Sequence, residues 1–232
     1  MNNIAEQLSL AYHKIDENCQ LLSRQTDTVQ LIAVSKTKPL ADIRCAFAAG
    51  HRHFAENYPQ ELAEKARDAT DLAGLIWHFI GPLQSNKTKL VAEHAHWVHS
   101  IDRIKIAQRL SEQRPEQMPA LNVLIQINIS DEGSKSGIAP ATMLQLAEQI
   151  AALPQLCLKG LMAIPAPGKP EIEQQQAFAA MQALSASLQQ HYPSATELSM
   201  GMSDDWPLAL RYGATMIRLG TAIFGARDCK KE

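Results

Sequence analysis

Residues 29–58 read VQLIAVSKTKPLADIRCAFAAGHRHFAENY, and the fold is decided within them. Leu31–Val34 is a short continuous apolar run rich in branched residues, the pattern of a strand buried on both faces. Pro39 ends it. From Pro39 to Ala49 the apolar spacing turns helical, and Gly50 stands where a C′ stop belongs. A second short strand candidate, RHFA, follows at residues 52–55. Strand, helix, strand implies parallel strands joined by helical crossovers.

The same alternation continues outward in both directions. Upstream, Ile4, Leu8, Tyr12, Ile15, Cys19 and Leu22 recur at spacings of three and four, which predicts an amphipathic helix over residues 3–24. Downstream, strands are expected at residues 75–80, 96–100, 121–129, 156–164 and 195–200, with a last one in ATMIRLGTAIFG at 214–225. Helical stretches separate them. Asp102 is expected to cap the helix that ends near Arg114, and DDWPLALRYG reads as a capped short helix. Eight βα units in about 205 residues match a compact (β/α)8 barrel. A doubly wound open sheet shares the alternation. No Pro/Ser/Gly-rich linker interrupts the chain, so residues 1–232 read as a single domain.

Composition bounds the function. The 232 residues are 46% hydrophobic and 20% charged, which excludes general disorder. A formal net charge of −2 argues against a polyanion binder working by bulk charge. Cys19, Cys45, Cys157 and Cys229 form no CxxC pair, so a disulfide framework or thiolate zinc site is not expected. The N-terminus lacks a basic n-region and no stretch approaches 18 apolar residues, so a cytoplasmic protein without a signal peptide or membrane span is expected.

In a barrel the site lies at the C-terminal ends of the strands. Lys36 is the sharpest residue there. Side chains alternate along a strand, so Ile32, Val34 and Lys36 share a face, and Lys36 points into the mouth. A desolvated lysine near other cations, here Lys38 and Arg218, can attack a carbonyl to form a Schiff base. The second feature is the pair of segments after strands 7 and 8, a common phosphate site. Ser199, Gly201, Ser203, Gly220 and Thr221 supply hydroxyls and close-approach backbone there. Together the two features ask for one ligand with a carbonyl and a phosphate. Pyridoxal 5'-phosphate (PLP) has both, and so do phosphorylated sugars. His94, His96 and His99 are a rival as metal ligands, but on a strand they divide between two faces, so no metal is expected. His78 reads as a satisfied core histidine, and Trp77, Trp97 and Trp206 as packing residues.

Longer motifs carry a resemblance. AVSKTKP, FAENYPQEL, WHFIGPLQSNK, HSIDR, NISDEGSKSGI, GLMAIP, LSMGMSDDWPLAL and IRLGTAIFGAR occur in order from residue 33 to 227. The chain resembles the YggS/PROSC family of pyridoxal phosphate homeostasis proteins over nearly its whole length. The resemblance implies a barrel of the alanine racemase N-terminal type with an extra N-terminal helix. It implies PLP held as a Schiff base on Lys36, Arg218 facing the pyridine nitrogen, and Asn57 in the pocket. The phosphate would lie among Ser199, Gly201, Ser203, Gly220 and Thr221. One departure is visible: Ala55 stands in FAENY where the family usually shows glycine, tolerable in extended backbone but not at positive φ.

The resemblance also implies a role in vitamin B6 balance without turnover. An arginine at the ring nitrogen cannot accept a proton, so the ring is a poorer electron sink. Racemisation needs acid/base groups on both ring faces. Alanine racemases take one from a C-terminal β domain across a dimer, and with the chain ending at residue 232 a monomer is expected. The alternative is a fold-type III PLP enzyme, an amino-acid racemase or aldolase, using Tyr58, Lys135 or His78. A lysine aldolase acting on sugar phosphates without PLP is the third reading. Expected partners are PLP and the apo-enzymes that receive it, with no nucleic acid and no membrane. Lys38, Lys135, Lys230 and Lys231 read as surface lysines.

Overall fold

The computed structural model describes residues 3–130, 136–166 and 168–226. Lys135, Cys229, Lys230 and Lys231 therefore lie outside the described residues. Eight parallel strands close into a barrel in sequence order: β1 (Gln30–Val34), β2 (His53–Glu56), β3 (Ile76–Phe79), β4 (Trp97–Ile101), β5 (Leu121–Ile127), β6 (Leu156–Ala163), β7 (Glu197–Ser199) and β8 (Met216–Leu219). The ring closes where β1 meets β8, with Ile32 opposite Arg218 and Ala33 opposite Leu219. The open-sheet alternative is thereby excluded.

Helices alternate with the strands: α1 (Ile4–Leu21), α2 (Leu40–Ala48), α3 (Pro59–Asp68), α4 (Thr88–His94), α5 (Ile104–Gln113), α6 (Met143–Ala151), α7 (Glu171–His191), α8 (Trp206–Arg211) and α9 (Thr221–Phe224). Their buried apolar faces join one layer around the barrel, with α1 packed on α2, α8 and α9. In α5 that face is Ile106, Ala107 and Leu110; in α7 it is Phe178, Met181 and Leu188. This layer between barrel and helices is the larger core. A smaller core fills the barrel itself, made of Ile32, Ala55, Leu124, Met162 and Met216, with Trp97 against it. Short strands read as continuous apolar runs because both of their faces are buried.

Four local expectations need correction. The buried face of α1 is Ile4, Leu8, Ala11, Ile15 and Cys19, while Tyr12 and Leu22 are exposed. Tyr12 keeps one inward link, its hydroxyl 2.8 Å from His51 Nδ1. Asp102 does not cap α5: Arg103 holds the N-cap position, and Asp102 pairs with it at 2.7 Å. Asp205 stands at the N-cap of α8 but makes no capping bond into the helix; its carboxylate turns back to accept the Met202 N–H at 2.6 Å. The last apolar run is not one strand, because the chain leaves extended conformation at Gly220 and its remainder forms the single turn of α9.

Ala55 lies in extended β2 and is fully buried, so the methyl group fits where positive φ would have excluded it.

The outer layer carries the stability. Phe54 on β2 is fully buried, with His51 edge-on at 5.0 Å and Trp77 at 6.2 Å. Phe54→Ala should lose about 3–5 kcal/mol in urea unfolding. Leu21→Ala, on an 84% exposed side chain, should stay within about 0.5 kcal/mol.

Candidate functional site

A cavity of about 220 Å³ opens at the C-terminal ends of β1, β2 and β8. Its apolar walls are Val34, Ile80, Ile164 and Met202. Its polar groups are Lys36, Lys38, Asn57, Ser203, Arg218 and Thr221, with Gly220 and Gly225 completing the lining. Six of the eight residues proposed from sequence thus meet in one place: Lys36, Asn57, Ser203, Arg218, Gly220 and Thr221. Ser199 and Gly201 do not line it. Both stand behind Arg218 and support it.

Arg218 is 3% exposed. Its Nη1 donates to Ser199 Oγ at 2.6 Å and its Nη2 to the Ala163 carbonyl at 3.0 Å. Burial draws its pKa down to about 10 against the opposing pull of Asp205, so it stays cationic at neutral pH. Gly201 accepts the Arg218 backbone N–H at 3.0 Å. It sits at φ 94°, and a Cβ there would lie 2.8 Å from that of Ala209, so only glycine lets α8 approach. The Ser203 and Thr221 hydroxyls stand 3.3 Å apart at the first turn of α9.

Lys36 sits in the turn after β1, and that turn is braced from below. The Ser35 hydroxyl donates to Glu56 Oε1 at 2.6 Å. Lys65 Nζ donates to the Ser35 carbonyl at 2.8 Å, to Glu56 Oε1 at 2.7 Å and to Glu61 Oε1 at 2.8 Å. The Thr37 N–H donates to Glu61 Oε1 at 2.6 Å. Thr37 has φ 63°, a costly conformation for a β-branched residue that persists only where its surroundings over-determine it. Burial pushes Glu56 up to about 7, against Lys65 and Ser35, which pull it down. Sequence reading missed this brace because Glu56 and Lys65 look like a strand-end and a helix-surface charge.

Asn57 is placed by a close approach. A Cβ on Gly81 would fall 2.0 Å from the Asn57 carbonyl oxygen, so the chain after β3 can press against Asn57 only without a side chain. Ser100 Oγ donates to the Gly81 carbonyl at 2.6 Å and fixes that segment. Lys38 Nζ donates to the Ala226 carbonyl at 2.8 Å.

The other candidates lie elsewhere. Tyr58 is 51% exposed and lines a neighbouring hollow with Lys87 and Arg103. His94 bonds the Leu90 carbonyl, His96 accepts the Trp77 N–H, and His99 is inside the barrel. Among the described residues no group of three or more His, Cys, Asp or Glu could hold a metal ion. Among those residues, too, no helix is long and apolar enough to cross a membrane.

Known proteins resemble this chain in sequence and fold. Residues 10–228 match the family model described as "Alanine racemase, N-terminal domain". The Haemophilus influenzae protein named "Pyridoxal phosphate homeostasis protein" is 55% identical over 229 residues, covering 97% of each chain. The Escherichia coli K12 protein of the same name is 52% identical over 234 residues, covering both chains fully. A solved structure, PipY of Synechococcus elongatus PCC7942 "with PLP bound", is 42% identical, with a TM-score of 0.82 over 96% of this chain and all of that one. An alanine racemase of Clostridium difficile, 13% identical with a TM-score of 0.76, shares the fold alone. The chain therefore belongs to the alanine racemase N-terminal domain family and, within it, to the pyridoxal phosphate homeostasis proteins.

Lys65→Met leaves Glu56 buried without its cation. Unfolding in urea should show a loss of about 3–5 kcal/mol. Glu61→Ala, on the more exposed partner, should cost about 1 kcal/mol or less.

Proposed function

We propose that the chain binds PLP in this cavity, through Lys36, and serves to hold and hand on the cofactor. The observation that carries the reading is the convergence of a lysine amine, a buried guanidinium and a hydroxyl pair in one small, partly apolar cavity. A relative 42% identical, of which this chain covers the full length, has PLP bound, which adds support.

The residues fit the group chemically. PLP, when bound, supplies an aldehyde that condenses with a primary amine. Lys36 presents such an amine from a braced turn. Val34, Ile80, Ile164 and Met202 offer an apolar slot for an aromatic ring. Ser203, Thr221 and the backbone at Gly220 offer donors for a phosphate. Arg218 has only N–H donors, so toward a pyridine nitrogen it can donate and never accept. That contact holds the ring while leaving it a weak electron sink.

The lining favours holding over turnover. The titratable side chains lining the cavity, among the described residues, are Lys36, Lys38 and Arg218. Racemisation needs an acid/base group on each ring face. Lys38 is committed to the Ala226 carbonyl, Tyr58 opens into the neighbouring hollow, and His78 lies inside the barrel. On this reading the partners are PLP and the apo-enzymes that need it, and the chain works as a cytoplasmic monomer.

The first test is the visible absorption of the purified protein beside Lys36→Ala, with borohydride reduction and peptide mapping. Wild type should be yellow with the reduced label on Lys36, and Lys36→Ala should lose both. A colourless wild type that takes up no added PLP would sink the reading. Ser203→Ala with Thr221→Val should weaken PLP by about tenfold or more while changing pyridoxal, which lacks the phosphate, far less. Common amino acids should give no sustained product.

A further inference from the structure

Inside the barrel runs a row of polar side chains that do not line the cavity. His53 opens β2, His78 lies in β3, His99 in β4, and Ser199 ends β7. His53 Nδ1 is 3.0 Å from His78 Nε2, and His78 Nδ1 is 2.9 Å from His99 Nε2. His99 Nδ1 is 2.9 Å from Ser199 Oγ, which takes the Arg218 bond at 2.6 Å. His53 is half-buried at the N-terminal end of the barrel, and Arg218 lies at the mouth. The row therefore spans the barrel from base to cavity.

Its direction follows from donor counting. Arg218 can only donate, so Ser199 Oγ accepts from it. The Ser199 proton then needs an acceptor in a fully buried place, and among the described residues His99 Nδ1 at 2.9 Å is the one its hydroxyl meets. His99 thus carries its proton on Nε2 and donates to His78 Nδ1. His78 in turn carries its proton on Nε2 and donates to His53 Nδ1. Each ring presents its lone pair toward the guanidinium and its N–H away from it. Burial holds His78 and His99 well below the usual histidine range, and burial with His96 nearby brings His53 to about 4, so all three rings are neutral. The charged and titratable neighbours are occupied elsewhere. His51 is 2.7 Å from the His53 carbonyl, His96 accepts from Trp77, Arg114 holds the Ala92 and Ala95 carbonyls, and Asp205 takes the Met202 N–H.

We infer that His53, His78, His99 and Ser199 are positioning residues for the ligand site, a one-way hydrogen-bond relay that fixes Arg218 and transmits changes made deep in the barrel to the cavity. Apolar side chains of similar volume would fill the same space without desolvating three imidazoles. They could not accept the Ser199 proton, and Ser199 would lose its single orientation. Trp97 stacks on His78 at 5.7 Å and 13° between planes, holding the middle ring in line. The ligand side of this inference rests on the PLP reading above; the relay itself does not.

The test has two arms. In the first, the ligand-free chain with ¹⁵N-labelled histidine is examined by long-range ¹H–¹⁵N spectroscopy at neutral pH. His53, His78 and His99 should each be neutral with the proton on Nε2. Ser199→Ala should alter the ring shifts of His99, then His78, then His53, by falling amounts, and Ser199→Thr should restore them. In the second arm, PLP uptake is followed by visible absorption. Ser199→Ala and His78→Phe should each bind about tenfold more weakly, equivalent to about 1.4 kcal/mol, with Ser199→Thr close to wild type. Should His78→Phe not fold, Ser199→Ala serves alone. The relay is overturned if any of the three rings carries its proton on Nδ1, if Ser199→Ala leaves His78 and His53 unmoved, or if Ser199→Ala binds PLP like wild type. If wild type takes up no PLP, the cofactor reading fails and the ligand-free arm still decides the relay.

Discussion

The barrel encloses a guanidinium. Arg218 is buried near the top of the eight-stranded ring, and burying a cation is costly unless the surrounding groups answer its charge. The answer comes from three directions. Ala163 at the end of β6 and Ser199 at the end of β7 accept its N–H groups, Asp205 adds a longer-range pull, and the lone pairs of the histidine row point toward it. Much of the site's architecture serves that arrangement. Gly201 accepts the Arg218 backbone N–H while admitting α8, and α9 begins at the hydroxyl pair beside it.

A second buried charge organises the wall across the β1–β8 seam. Lys65 reaches from α3 beneath the turn that carries Lys36 and binds two carboxylates and a backbone carbonyl at once. The lysine and the arginine at the cavity are therefore held by different means. The arginine is fixed by neutral acceptors and oriented dipoles, the lysine's backbone by an ion cluster. For the lysine a charged cluster behind the cavity surface sets the geometry, and for the arginine neutral groups do.

Much of this was legible in the sequence, for identifiable reasons. Repeated short apolar runs separated by helical spacing give the parallel βα order and the count of eight, while closure into a ring needs the β1–β8 pairing that spacing cannot show. Lys36 stands out because side-chain alternation continues past the apolar run of β1. Ser203, Gly220 and Thr221 stand out because they follow strands 7 and 8. What was not legible depends on which buried face a residue takes. When both faces of a strand are buried, alternation cannot say whether His78 or His99 points into the barrel or toward the helices. Nor can spacing show that Ser199 lies behind Arg218 instead of on the cavity. Glu61 and Lys65 meet by one turn of α3, but Glu56 joins them only because the barrel brings β2 and α3 under the turn after β1. The cap expectation at Asp102 failed because α5 starts one residue later, with Arg103 at its N-cap, and the cap expected for DDWPLALRYG failed because the Asp205 carboxylate accepts the Met202 N–H instead.

The closure of the ring has a consequence for how the molecule is made. Lys36 follows the first strand and Arg218 lies in the last, and they face one cavity only because Ile32 pairs with Arg218 across the β1–β8 seam. That seam joins segments separated by most of the chain, so its loop-closure entropy must be met before its contacts can reward it. A sheet zipped from β2 to β7 but still open has no ligand cavity. A ligand that binds only the closed ring therefore adds its binding free energy to the last topological step, shifting the balance away from open forms by mass action. The cavity is in this sense a lock on the seam. A protein that hands its ligand on gives up that share of its stability each time it does so.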